Sequence, residues 1–334
     1  MSARLTGSRS GGPQPTALVR VPAPAGAPAL PAGEIEAAAG YARAEKAPAT
    51  RRAYGTDFAI FRTWCAQRGA DPLPAAAETV AAFLASEAGR GVRPSTIGRR
   101  VAAIRYAHKL AGFPITTDDE RVRATVRGIR RSLGAASNRK APATADKIVA
   151  MAPVVGGRLS EIRDRALLLI GFAGAFRRSE LVALDVEDVE EVPEGLRVTI
   201  RRSKTDQEGL GAVVALPRGS VACPVAAFRA WIRAAGITAG PVFRPVAKRE
   251  RLQNARLTDR SVAKIVKAHA VRVGLDPAAF AGHSLRSGFL TSAAARGASI
   301  FKMADQSRHR SMDTLRGYVR DAEIFKHHAG VDLL

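Results

Sequence analysis

Apolar residues recur at helical spacing through residues 47–133 and change to a mixed helix-and-strand pattern from 143 onward. In the first stretch Tyr54, Phe58, Phe61 and Cys65 follow one another at steps of four and three, with Thr50 as the expected N-cap. Val80, Phe83 and Leu84 mark a second helix. A third opens after Pro94-Ser95, carries Ile97, Val101, Ile104 and Ala107, and stops near Gly112-Phe113-Pro114. A fourth, from about Asp118, carries Val122, Val126 and Ile129. This region is expected to be all helix.

From 143 to the end the pattern predicts helices over 164–172 and 178–184, then a small antiparallel sheet. Its strands are expected at 186–192, 197–202 and 211–216, with a Pro193-Glu194-Gly195 turn after the first. The alternation in Leu196-Arg197-Val198-Thr199-Ile200 is that of a half-buried strand. Helices resume over 223–235, 258–273 and 283–296 and through Tyr318. The expected class is mainly α with one small antiparallel sheet inserted early in the second domain. Residues 134–142, Gly-Ala-Ala-Ser-Asn-Arg-Lys-Ala-Pro, carry turn chemistry and read as a basic linker between the two domains.

Before the first helical pattern the composition changes. Residues 1 to about 33 are Ala, Pro, Gly and Ser with arginines and no acid before Glu34. Such a segment buries too little apolar surface to offset chain entropy, so a disordered tail is expected, drawn as far as residue 46. An acid-poor, Arg-containing start also suits an organelle transit peptide, but prolines at 22, 24, 28 and 31 would break its amphipathic helix.

Charge narrows the partner. The 334 residues suffice for two domains, and 52 Lys and Arg against 30 Asp and Glu give a net charge of +22. A field of that sign attracts polyanions. With no long apolar run and no basic amphipathic anchor, nucleic acid rather than a membrane is the expected partner. Arg99, Arg100, Arg105, Arg123, Arg127, Arg130 and Arg131 punctuate the third and fourth helical patterns. A phosphate-facing surface accounts for the run; solvated helix faces are the alternative for any one of them. Cys65 and Cys223 are far apart in sequence, and Cys65 falls in an apolar pattern, so core packing is preferred over a disulfide. No C-x-x-C occurs, and the adjacent His327-His328 lack further ligands, so no metal or other cofactor is expected. A reducing cytoplasm fits that usage.

Several residues carry candidate chemistry. Arg177 and Glu180 share a helix face, where a carboxylate can fix a guanidinium fork that matches two phosphate oxygens. Lys204 sits on the expected hairpin between two strands, a place from which an ammonium can be delivered as a general acid. His283 and Arg286 share another helix face. Tyr318, nine residues after His309 and flanked by Arg308, Arg310, Arg316 and Arg320, is a phenol in a cationic neighbourhood, the condition for a tyrosine nucleophile. Taken singly, each has a bland reading: a surface ion pair, a solvated lysine, a half-buried tyrosine.

Taken in order, Arg177-x-x-Glu180, Lys204, His283-x-x-Arg286, His309 and Tyr318 resemble the signature of the tyrosine recombinase (phage integrase) family over about residues 47–334. Ala175-Phe176-Arg177-Arg178-Ser179-Glu180-Leu181 looks like its Gly-hydrophobic-Arg-x-Ser-Glu-Leu box. Within the family, Ala281-Gly282-His283-Ser284, the final Tyr318-Val319-Arg320 and an apolar C-terminal segment look most like the Cre branch. The resemblance implies a helical core-binding domain (47–133) and a catalytic domain (143–334) closing on duplex DNA at specific recombination sites. It also implies assembly into a tetramer on two sites. Arg177, Arg286 and His309 would hold the scissile phosphate, with Glu180 orienting Arg177. Tyr318 would form a 3′-phosphotyrosyl link, Lys204 would protonate the leaving 5′ oxygen and His283 would assist proton transfer, without metal or ATP. Two departures stand out: Arg308 replaces the glycine usual before His309, and Phe176 and Arg178 crowd Arg177. The apolar end, Ile324-Phe325 and Val331 to Leu334, is expected to dock on a neighbouring protomer, with packing on its own domain as the alternative. A type IB topoisomerase and a non-enzymatic helix-turn-helix protein remain competing readings. Target sequence and accessory proteins are not encoded in any motif.

Overall fold

Proline sets where the first long helix begins. Pro48 is the first residue of α2 (Pro48–Ala66), and its fixed φ and missing N–H suit that position. Thr50 therefore lies inside the helix and Ala47 holds the cap position. The structure, a computed structural model, describes residues 31–134, 140–152, 157–201, 211–309 and 311–324. It divides into two compact units, Met1–Ser137 and Asn138–Leu334.

The first unit is helical. Ahead of α2 lies α1 (Ala32–Ala44), inside the stretch expected to be disordered. Weighing only apolar burial overlooks the intrinsic helix preference of the alanine run there. Residues 1–30 lie outside the described residues. After α2 come α3 (Ala77–Gly89), α4 (Pro94–Leu110) and α5 (Glu120–Leu133), the last capped by the Asp119 carboxylate on the Arg121 amide. α2 packs on α4 and α3 on α5. Phe61, Cys65, Val80, Phe83, Leu84 and Ile104 are buried at the centre. Cys65 and Cys223 are both free thiols.

The second unit is mixed. α6 (Ala145–Met151) leads to α7 (Leu159–Ala173), whose Ala166 to Ile170 run is buried. α8 (Arg178–Ala183) is followed by the antiparallel sheet β1 (Val189–Val192), β2 (Gly195–Ile200) and β3 (Ala212–Pro217), in the order β1-β2-β3. β1 starts later than expected because Asp185 and Asp188 cap a 3-10 turn at Val186–Asp188. Pairing of Val192 with Gly195 and of Leu196 with Leu216 puts Leu196, Val198, Ile200, Val214 and Leu216 on the buried face. α9 (Pro224–Ala235), α10 (Asp259–Arg272) and α11 (Ser284–Ala295) complete the main core around α7. α12 (Ile300–Ser307) and α13 (Met312–Glu323) then pack on α11 over Leu290, Met303 and Leu315. No described helix is long and apolar enough to cross a membrane.

Candidate active site

Where α7 ends, the chain turns sharply. The Phe176 ring lies so close to Gly174 that a Cβ there would sit 2.1 Å from a ring carbon, and Ala175 takes a left-handed conformation at φ 45°. The turn buries Phe176 and brings out Arg177 at the N-cap of α8, its side chain only 16% exposed. Glu180, buried one turn later, receives the Arg177 amide on Oε2 at 2.9 Å and the Arg177 Nη1 on Oε1 at 2.6 Å. Burial alone would raise the Glu180 carboxyl. Arg308 and then Arg177, through its amide and guanidinium, hold it below the ordinary carboxylate value.

α11 supplies the second arginine. It lies against residue 143 so closely that a Cβ on Gly288 would meet the Ala143 carbonyl at 1.8 Å. Arg286 on this helix is 1% exposed; its Nη1 donates to the Ala175 carbonyl at 2.7 Å, and its Nη2 lies 3.2 and 3.3 Å from the two ring nitrogens of His309. Among the described residues no carboxylate is in ion-pair contact with it. Burial first, then Arg177 and Arg308, pull its pKa down to about 9, which leaves it charged at neutral pH. His309 also meets the Ser307 hydroxyl at 2.7 Å through Nδ1. Burial, followed by Arg286 and Arg177, lowers its pKa to about 4. His283 caps α11 at the solvent edge; the protein packed around it, then Arg286, Arg177 and Arg178, lower its imidazole pKa.

α13 carries the tyrosine. Tyr318 is half-buried against the Leu290 and Leu315 cluster, and its phenol lies within electrostatic range of Arg286. Lys204 lies outside the described residues, as do 325–334. Among the described residues no group of three His, Cys, Asp or Glu side chains could hold a metal ion.

In the sequence Arg308 stands only as one of the cations near Tyr318 and as a departure from a glycine pattern. The structure places it in the centre of the site, as the left-handed C-cap of α12 at φ 56° and ψ 44°. The turn that a glycine would adopt is therefore kept. Its guanidinium reaches Glu180 Oε2 at 2.7 Å and lies 5.2 Å from the Phe176 ring centre. Phe176 thus packs beneath a site arginine, and Arg178 turns away to pair with Asp259 on α10 at 3.1 Å. Two guanidiniums share one carboxylate and a third, Arg286, has none in contact among the described residues, a surplus of positive charge that an anion would neutralise.

The seven arginines of the run expected to face phosphate divide, and Arg123 pairs with Asp118 at 3.2 Å at the surface. Arg100 is buried and paired with Glu87, with Asp57 at 3.9 Å, so it belongs to the core of its unit and not to a phosphate surface. The two carboxylates, each 1% exposed, require cations, and Arg100 is the buried one, with Arg90 reaching Glu87 at 3.0 Å from the surface. Arg99 forms a two-pronged pair with Asp57 at 2.6 and 3.1 Å. Arg105 pairs with Asp118 and Arg127 with Glu120, both at the surface. Arg130 and Arg131 are exposed near the end of α5, with no carboxylate in contact among the described residues.

Comparison with known proteins now adds names to this geometry. The model of the phage integrase family matches residues 142–323. The chain is 39% identical over 290 residues to the integrase/recombinase XerD homolog of Selenomonas ruminantium, covering 85% of each chain. It is 28% identical over 291 residues to tyrosine recombinase XerD of Caulobacter vibrioides, covering 85% of this chain and 87% of that one. In fold it is similar to a lambda integrase dimer bound to a COC′ core site, with a TM-score of 0.56 at 17% identity over 83% of this chain and 90% of that one. XerH bound to a palindromic difH substrate gives the same TM-score at 15% identity, covering 77% of this chain and 72% of that one. The named relatives are of the Xer type rather than the Cre branch.

Proposed function

The chain belongs to the phage integrase family and is a tyrosine-type site-specific DNA recombinase, and on that premise we propose that Tyr318 is its nucleophile and that Arg177, Arg286 and His309 form the cradle for the scissile phosphate. One observation supports this reading above the others: Arg286 is a buried, charged guanidinium whose contacts are a carbonyl and an imidazole, with no carboxylate in contact among the described residues. Leaving a buried cation without a counter-ion is costly unless a ligand supplies one. A phosphodiester oxygen fits that need.

In the proposed step the Tyr318 oxygen attacks phosphorus, a P–O bond to tyrosine forms and the P–O5′ bond breaks. Negative charge accumulating on the non-bridging oxygens is met by Arg177 and Arg286, already oriented by Glu180 and the Ala175 carbonyl. His309, neutral at pH 7, serves as a hydrogen-bond partner, and His283 at the solvent edge assists transfer of the phenolic proton. Lys204 gives a proton to the departing 5′ oxygen. A 5′ hydroxyl from the partner strand then reverses the chemistry, so the phosphodiester energy is retained and neither ATP nor a metal is called for. The helical unit grips the duplex at a specific site, and the catalytic unit performs the exchange. Two sites require four copies, and the exposed Phe301 on α12 and Ile324 at the end of α13 offer apolar surface for protomer contact. Such an enzyme works on the nucleoid in the cytoplasm.

The test begins with fragmented genomic DNA retained by Tyr318→Phe, which reports the bound sequence without cleavage. A nicked duplex of that sequence is then offered to both proteins. The wild type is expected to be captured covalently and Tyr318→Phe to show no adduct. Adduct formation by Tyr318→Phe would end the nucleophile assignment. Exchange between two such sites separates recombination from simple relaxation of DNA.

A further inference from the structure

We propose that Arg308 is a positioning residue of this site, holding Glu180 and the Ala175 turn in the geometry that aims Arg177 and Arg286 at the phosphate. The inference rests on the recombinase reading above.

The backbone of Arg308 is in the left-handed region, which glycine adopts freely and a side-chain-bearing residue adopts at a cost. What offsets that cost is visible in its contacts. Nη1 donates to the Gln306 carbonyl at 2.7 Å and to the Gly174 carbonyl at 3.2 Å; Nη2 donates to Glu180 Oε2 at 2.7 Å and to the Ala175 carbonyl at 3.4 Å. Every one of these acceptors except Gln306 lies beside a phosphate-binding arginine. Glu180 divides its oxygens, Oε1 to Arg177 and Oε2 to Arg308. The Ala175 carbonyl is shared by Arg308 and Arg286. Arg308 thereby ties together the second left-handed residue of the site, its single carboxylate and its two phosphate-directed guanidiniums. Because its terminal nitrogens are engaged by protein acceptors, Arg308 acts through Arg177 and Arg286 and not on substrate itself.

A merely structural arginine would change stability and leave the split between binding and cleavage alone. A positioning arginine predicts the opposite. On the nicked duplex defined above, full-length Arg308→Gly is expected to cleave about 10- to 100-fold more slowly in a single turnover, with DNA affinity within about threefold of wild type. Arg308→Lys, which keeps a cation for Glu180, is expected to recover part of the rate. In a cycle with Glu180→Gln, adding Arg308→Gly is expected to cost little more, because both changes remove one contact. Should the glycine variant melt early, Arg308→Met retains the aliphatic stem over Phe176 and carries the same expectation against Arg308→Lys. Wild-type cleavage rates in Arg308→Gly and Arg308→Met, or costs that multiply fully in the cycle, would overturn the positioning role alone. A wild type that forms no covalent adduct would overturn the recombinase reading and this role with it.

Discussion

In the helical unit one buried guanidinium, Arg100, lies against two buried carboxylates, Asp57 and Glu87, which also bind Arg99 and Arg90 at the surface; in the catalytic unit Arg177 and Arg308 share the carboxylate of Glu180, and a third guanidinium, the buried Arg286, has none in contact among the described residues. Both sets are arginine-rich and both are largely shielded from water. Among the described residues, only the second contains a buried guanidinium with no acid in contact. Arginine number alone therefore does not mark a phosphate site in this chain, because many of the described arginines are paired with acids beside them. Unmatched buried charge is what singles out the cradle proposed above. The first arrangement ties the helices of its unit together, and the second, on the proposed reading, leaves charge for an anion at the expense of local stability.

The sharpest way to break this contrast is to replace each buried arginine by methionine, which keeps the volume and removes the charge. Arg286→Met is expected to lower the single-turnover cleavage rate by about 100- to 1,000-fold. The same change is expected to move the thermal midpoint by only a few degrees, since it strands no carboxylate. Arg100→Met is expected to destabilise the helical unit by about 2–4 kcal/mol, because the buried Glu87 is left with only the exposed Arg90 and Asp57 with only Arg99. Calorimetry read beside covalent capture checks both. If Arg286→Met melted early and Arg100→Met did not, surplus charge would not be the distinguishing feature.

The same contrast explains what could be read in the sequence. Arg177 and Glu180 are three residues apart, so their pairing is local and legible in helix geometry. The boundaries of α3, α4 and α5 follow from apolar spacing with Pro94 and Asp119 at their starts. Arg99 and Arg100 look alike in a string of letters, yet one step along a helix turns a side chain by about 100°, enough to separate surface from core. The left-handed turns were invisible for another reason. Only glycine advertises positive φ, and here Ala175 and Arg308 adopt it under tertiary constraint. α12 spans barely two turns, too few for periodicity to declare it. The alanines of α1 lacked any apolar stripe at all.

Acidity offers a second, intermediate handle. An ordinary imidazole titrates near 6.5, whereas His309 in the folded chain titrates at about 4 and His283 is lowered in the same sense. Between those pH values the unfolded chain binds protons that the folded chain refuses, so stability of the catalytic unit is expected to fall as pH drops from 7 toward 4. Glu180, depressed below the usual carboxylate value, adds to the loss at the acidic end of that range. A phosphate seated against the imidazoles would raise their pKa values. DNA binding is then expected to take up protons and to strengthen between pH 7 and about 5. Thermal midpoints at pH 7.5 and 5, with and without DNA, check both signs. A free protein that gained stability on acidification would contradict the cationic surroundings of His309.

The smallest effect concerns the surface of the helical unit, where the same rule of matched and unmatched charge applies in water. Arg105 and Arg127 already have acidic partners in Asp118 and Glu120, while Arg130 and Arg131 have none in contact among the described residues. A guanidinium that binds phosphate displaces about one counterion, so Arg130→Gln and Arg131→Gln are each expected to reduce the slope of log affinity against log salt by about one. Arg105→Gln and Arg127→Gln are expected to reduce it by less, because a phosphate must compete with the carboxylate already bound. That competition is weak at an exposed pair, about 0.2–1 kcal/mol, so the difference is fine and needs titrations over a wide salt range. Equal slopes lost in all four variants would mean that exposed pairs open freely on DNA, and the rule of unmatched charge would then hold only where water is excluded.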